Sequence, residues 1–179
     1  SLALVDRDED GLAALVSRLP GPHLTVVQDL AVVDAIPALA ERVERDLGPV
    51  ALLINNAGLT VHGPFTEHSR EALDRVLDVD LRAPIHLTHA CAPQLRQTRG
   101  HVVLISSLAG LFGFPLQSTY SASKFGLRGF GQAIRAELAA HGVGVTTVMP
   151  GTVGTRFLTR AATVDPETSS VLGDLMKRY

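Results

Sequence analysis

The chain has 179 residues, a length that suits one domain with a sizeable core. Apolar residues make up 46% and charged residues 19%, which excludes an intrinsically disordered chain, and the formal charge of −2 gives no nucleic-acid footprint. The single cysteine, Cys91, excludes an internal disulfide framework, and no apolar run reaches the ~18 residues of a membrane span. The expectation is a protein of a reducing compartment, the cytoplasm.

In chain order, LALVD (2–6) predicts a buried strand. Residues 8–19 have apolar positions Leu12, Leu15, Val16 and Leu19 at helical spacing. LTVVQ (24–28) predicts a strand after a Pro-Gly-Pro turn. Residues 32–48 predict a helix closed by Gly48. VALLIN (50–55) predicts a strand running into the turn NAG. Residues 69–97 predict a long helix with Ser69 as N-cap and a kink or break at Pro84. HVVLIS (101–106) predicts a strand, residues 119–142 a helix, and VGVTTVM (143–149) a strand stopped by Pro-Gly. The alternation of strand and helix predicts an α/β fold, a doubly wound parallel sheet with helices on both faces. Such a sheet takes its ligand outside the C-terminal strand ends. Asp6, Asp29, NNAG, SS and MPG all fall there.

Tyr120 and Lys124 stand one helical turn apart on one face. A free tyrosine, with a pKa near ~10, is a poor proton carrier at neutral pH, and a neighbouring ammonium lowers that value. Alone, this spacing is as well explained by a solvated helix surface. Ser107 adds a hydroxyl at the end of the 101–106 strand, where a turn or N-cap is the plainer reading.

NNAG (55–58), ISS (105–107), YSASK (120–124) and PGTVGT (150–155), in this order and spacing, resemble the short-chain dehydrogenase/reductase family. The resemblance covers nearly the whole chain. It implies a Rossmann-type three-layer fold and an oxidoreductase with a nicotinamide cofactor. It further implies that Tyr120 is the general acid/base, that Ser107 polarises the substrate oxygen, and that Lys124 tunes the tyrosine and holds the nicotinamide ribose. On the cofactor side it implies Asp6 at the adenosine ribose, Asp29 and Leu30 beside the adenine, and Asn55, Ala57 and Gly58 along the cofactor. Pro150, Gly151, Val153 and Thr155 would hold the carboxamide. A carboxylate at Asp6 favours NAD, because it repels a 2′-phosphate; Arg7 beside it leaves NADP open.

Two features depart from the family's pattern. Asp80, in LDVDLRAP, stands where the family usually carries an asparagine that braces a helix kink and positions a water near the lysine. An ionised aspartate only accepts hydrogen bonds, and near Lys124 it would hold the lysine protonated. The second is the Gly-rich pyrophosphate turn, which belongs upstream of the Asp6 strand, where only five residues precede Asp6. Such a chain would lack the first strand-turn-helix unit and the last strand, and would be part of a longer one. The rival reading is therefore a catalytically impaired relative that binds a nucleotide or a partner.

Other chemistries fit less well. Ser107 lacks the first glycine of a nucleophile elbow. His86, His89 and Cys91 lie on one apolar helix with no second cluster to complete a metal site. Phe112, Phe114 and Leu116 either line an apolar pocket or pack on the sheet. Residues 156–179 correspond to the family's substrate lid, and an apolar secondary alcohol or ketone is the expected substrate. Leu87, Leu95, Phe130 and Ile134 on the two long helices permit a homodimer or homotetramer.

Overall fold

The computed structural model describes residues 1–151, residue 153 and the backbone of residues 162–163. The first hairpin-sized unit is β1 (Ala3–Asp6), α1 (Glu9–Val16) and β2 (Leu24–Val27). Asp8 starts α1 because its carboxylate accepts the Gly11 N–H at 2.9 Å, satisfying a donor that the first turn leaves free. A 3₁₀ turn at Val33–Ala35 then leads into α2 (Ile36–Leu47), later than the periodicity predicts. Pro37, which lacks an N–H, fits the first turn of α2. Gly48 ends the helix at φ 86°, a conformation that favours glycine.

β3 (Leu52–Asn55) and β5 (His101–Ile105) pair in parallel, and β5 pairs in parallel with β6 (Gly144–Val148). Between β3 and β5 lie the two-residue β4 (Val61–His62) and a helical stretch in three pieces. α3 (Arg70–Leu77) is capped by the Ser69 hydroxyl, which accepts from the Ala72 N–H at 3.2 Å. A π-helical turn covers Asp78–Arg82, and α4 (Ala83–Thr98) follows with Pro84 in its first turn. The predicted single helix is thus broken where Pro84 demands it, one turn earlier than the proline itself. α5 (Ser118–Ala139) connects β5 to β6. The last pairing joins β7 (Ala162–Thr163) in parallel to β4. Neither β4 nor β7 is marked by two-residue periodicity in the sequence. The substrate-lid expectation for 156–179 otherwise lies outside the described residues.

Every strand pairing is parallel, and the connections carry helices, as in a Rossmann-type doubly wound α/β fold. Among the described residues, β1 bonds only to β2, and β3 bonds on one side to β5. Among the described residues, no strand bridges β1 and β3. Leu52 and Ile54 of β3 are each 55% exposed.

The main core lies between β5–β6 and helices α2, α4 and α5, built from Ala40, Cys91, Leu95, Val102, Leu104, Leu127 and Ile134 among others. Burial pushes the Cys91 thiol up to about 11, with the Glu44 charge adding, so it stays a protonated core group. Two of the expected subunit-contact residues belong here instead. Leu95 and Ile134 are buried within the chain, so neither is free to meet a partner. Phe130 packs against this core, and Leu87 packs against a second cluster of Val33, Ile36 and Ala83.

Candidate active site

The π turn decides the geometry. Its i→i+5 bond, from the Ala83 N–H to the Asp78 carbonyl, adds one residue to a helical turn and rotates Asp80 inward. Asp80 is fully buried. One carboxylate oxygen accepts the Leu59 N–H at 2.8 Å, and the other lies 3.1 Å from Lys124 Nζ. Lys124, also buried, donates to the Ile105 carbonyl at 3.2 Å. Burial pushes the Asp80 carboxyl up, against the opposing pull of Lys124 and the Leu59 N–H.

Tyr120 lies one turn earlier on α5. Lys124 Nζ is 5.5 Å from the centroid of its ring. The ring packs against Val61, Val76 and Ala109. Ser107, at the end of β5, hydrogen-bonds the Tyr120 hydroxyl, and its own Oγ accepts the Ala109 N–H at 3.1 Å. Burial raises the Tyr120 pKa, the Ser107 hydrogen bond lowers it, and the Asp80 charge raises it; the net shift is upward. The spacing argument expects Lys124 to push Tyr120 down. The structure shows a different balance: burial is the largest cause of the upward shift, and the Asp80 charge adds to it.

Three strand ends converge on this group. Ser107 comes from β5. The turn after β6 approaches it through the Leu108 N–H, which donates to the Pro150 carbonyl at 3.0 Å. Gly58, after β3, sits over the ion pair: a Cβ there would lie 3.4 Å from Asp80 Oδ2 and 3.5 Å from Lys124 Nζ. Gly151 and Val153 are exposed beside the turn, and Thr155 lies outside the described residues.

The adenosine end is assembled separately. Asp6, exposed at the end of β1, accepts the Asp8 N–H at 3.0 Å, and Arg7 stands beside it. Asp29, after β2, accepts the Ala31 N–H at 3.0 Å and pairs with Arg75 of α3 at 2.7 Å. Burial alone would raise the Asp29 carboxyl. The Arg75 and Ala31 hydrogen bonds and the Arg75 and Arg7 charges outweigh it, so the net shift is downward. Leu30 packs against Val33, Ile36 and Ala83. Asn55 turns inward, its Nδ2 donating to Thr88 Oγ1 at 3.3 Å, and its Oδ1 is a buried acceptor with no partner among the described residues. Ala57 is exposed.

Sequence reasoning misses two contributors, Arg75 and His62. Arg75 carries no motif. Gly58, expected along the cofactor, also lies beside the ion pair, a nearness that depends on the π turn. His62 is buried on β4, and the Gln117 amide lies 3.0 Å from its Nδ1, just ahead of α5. Burial, then the His68 charge, lower the His62 pKa. Phe112 and Phe114 do not pack on the sheet; both are exposed in the loop between Ser107 and α5.

A nicotinamide cofactor fits the residues at both ends. The bare Gly58 backbone beside the ion pair, the Asn55 Oδ1 with no partner among the described residues and the Lys124 amine suit the ribose and carboxamide end, and the exposed Asp6 suits ribose hydroxyls. No Gly-rich turn at a helix N-terminus lies beside Asp6 among the described residues.

Parallel strands joined by helices, with a helix-borne tyrosine and lysine and a serine gathered at one strand end, define a Rossmann-type α/β protein. The family model for short chain dehydrogenases matches residues 1–165, and the chain belongs to that family. It is 35% identical to dehydrogenase/reductase SDR family member 7B of Xenopus tropicalis, over 96% of this chain and 59% of the relative. The chain thus spans little more than half the length of that relative. A Burkholderia phymatum short chain dehydrogenase/reductase in complex with NAD superposes with a TM-score of 0.84 at 28% identity, covering 89% of this chain and 59% of that one. A metagenomic short-chain oxidoreductase in complex with NADP gives 0.78 at 34% identity, covering 95% and 76%.

Proposed function

We propose that this chain carries the catalytic site of an NAD(P)-dependent oxidoreductase that moves a hydride between a nicotinamide and a secondary alcohol or ketone. The observation that carries the reading is the contact set around Tyr120: the Ser107 hydrogen bond at its hydroxyl and Lys124 over its ring. Tyr120 exchanges a proton with the substrate oxygen. Ser107 donates to the same oxygen, stabilising charge that develops there. Lys124 binds the nicotinamide ribose while remaining paired with Asp80. The bound nicotinamide supplies or takes the hydride.

Asp6 favours NAD over NADP, with Arg7 the residue that opposes it. Asp29, Leu30, Asn55, Ala57, Gly58, Pro150, Gly151, Val153 and Thr155 complete the cofactor side. Residues 1–179 belong to one dinucleotide-binding domain, with 156–179 as its lid segment, in a cytoplasmic homo-oligomer. The exposed Phe112 and Phe114 support an apolar substrate.

The test is a titration of NADH, with NADPH in parallel, followed by cofactor absorbance with a panel of secondary alcohols and ketones. Saturable NADH binding is expected, with turnover that falls by about a hundredfold or more in Tyr120→Phe. Binding without turnover on any of the panel would instead favour a catalytically silent, nucleotide-binding relative.

A further inference from the structure

Asp80 introduces a charge into a site whose chemistry depends on charge. Its Oδ1 is occupied by the Leu59 N–H, so Oδ2 is the atom that faces Lys124. An asparagine in the same pose would turn its amide N–H₂ toward the ammonium, leaving two donors opposed and the lysine charge unopposed. With aspartate, the Tyr120 hydroxyl sees an ion pair rather than a lone cation. The field of a pair falls off faster with distance than that of a single charge.

We propose that Asp80 is a positioning residue that holds Lys124 in a charge-neutral pair, keeps Tyr120 in its proton-donating form and so biases the site toward carbonyl reduction. This rests on the reading of Tyr120 as the proton-transferring group. In that direction a hydride from a reduced nicotinamide joins the carbonyl carbon. The Tyr120 proton joins the oxygen as the C=O π bond breaks. The product is an alcohol, the nicotinamide is oxidised, and the phenolate takes a proton from water. Alcohol oxidation needs the phenolate at the outset, so a tyrosine held protonated suits it only at alkaline pH. The upward shift of Tyr120, to which Asp80 contributes, agrees.

Among the described residues, few other charges face the pair. α5 contributes Lys124 and Tyr120. The loop before β4 presents the Leu59 N–H, and β5 presents the Ile105 carbonyl. On the π turn itself, Asp78 is tied to Arg82 at 2.6 Å in a more exposed pair. His62 on β4 is engaged by Gln117.

The chain has two tyrosines and no tryptophan, so a Tyr179→Phe background makes Tyr120 the one phenol. Its ionisation is then read from phenolate absorbance after rapid pH jumps on the full chain, with no need for turnover. Asp80→Asn is expected to lower the midpoint by about one pH unit or more, to below the ~10 of a free tyrosine. Lys124→Met is expected to raise it. An unfolded chain gives only the free value, measured in denaturant, so loss of structure cannot imitate a midpoint below it. An unchanged midpoint in Asp80→Asn, or a return only to the free value, overturns the proposal. In turnover, the alkaline limb of alcohol oxidation should move to lower pH in Asp80→Asn by the same amount. Full activity in Tyr120→Phe would sink the catalytic reading, and with it the directional bias, whatever the titration shows.

Discussion

Asp80 and Lys124 form a buried ion pair, 3.1 Å apart, contributed by a π turn and by the helix that carries Tyr120. Both side chains are buried, so bulk solvent does not reach either one. Truncating Lys124 alone leaves an uncompensated buried carboxylate, so Lys124→Ala should destabilise the fold by about 3–5 kcal/mol at neutral pH. The penalty should shrink on acidification, because protonating Asp80 removes the lone charge. Denaturant unfolding of the variant at neutral and mildly acidic pH checks both statements.

Tyr120 has a ring in a packed cluster and a hydroxyl on Ser107. Tyr120→Phe keeps the ring, so thermal stability should change little. Turnover should fall by about a hundredfold to ten-thousandfold, the usual worth of a positioned proton carrier. The raised Tyr120 pKa also has a stability consequence. The folded state holds this proton more tightly than the unfolded chain does. The contribution is therefore complete below the free-tyrosine range and is lost as pH rises through the folded value. Wild type should lose stability in strong alkali faster than Tyr120→Phe, as read by unfolding at a series of alkaline pH values.

Gly110 lets the Ser107 loop lie directly on α5. A Cβ there would sit 2.8 Å from the Lys124 carbonyl oxygen and 2.7 Å from Ser106 Oγ. The helix backbone cannot yield as a flexible side chain would. Gly110→Ala should cost about 1–3 kcal/mol of stability through overpacking. It should also lower turnover by moving Lys124 relative to Ser107. A stable variant with unchanged turnover would contradict this close approach.

The Asp29–Arg75 pair ties the loop after β2 to α3, with each side chain about one-third exposed. Solvent screening limits its worth, so Asp29→Asn should cost no more than about 1 kcal/mol at neutral pH. The Asp29 pKa is lowered in the fold. Its stabilisation is thus present above the ordinary carboxylate range and lost as pH falls through the folded value. The difference between wild type and Asp29→Asn should close in acid, as measured by paired denaturant titrations.

Asp6 is exposed at the end of β1, with Arg7 next to it. Removing its charge relieves repulsion of a 2′-phosphate while leaving the guanidinium in place. Asp6→Asn should raise the ratio of NADPH to NADH affinity by about tenfold, on the order of 1.4 kcal/mol. Parallel binding titrations measure that ratio, and no change would take Asp6 out of the adenosine site.

The sequence by itself determined the order of the main strands and helices, because apolar spacing, Ser69, Gly48 and Pro84 report local preferences that packing did not override. It also brought Ser107, Tyr120 and Lys124 to notice, since a helix places residues four apart on one face and a strand end presents its last side chain. Only the tertiary structure decided what charge Tyr120 experiences. That depends on a π turn whose extra residue points Asp80 inward, and helical periodicity does not register one added residue. The tertiary structure also decided that Leu95 and Ile134 face the chain's own core rather than a second subunit, and that Phe112 and Phe114 stay exposed beside the site. Apolar residues carry the same pattern in either setting; which surface covers them is settled by elements distant in the chain. The pairing of β7 with β4, and of Arg75 with Asp29, are likewise contacts between segments far apart, set by how the layers stack rather than by any local signal.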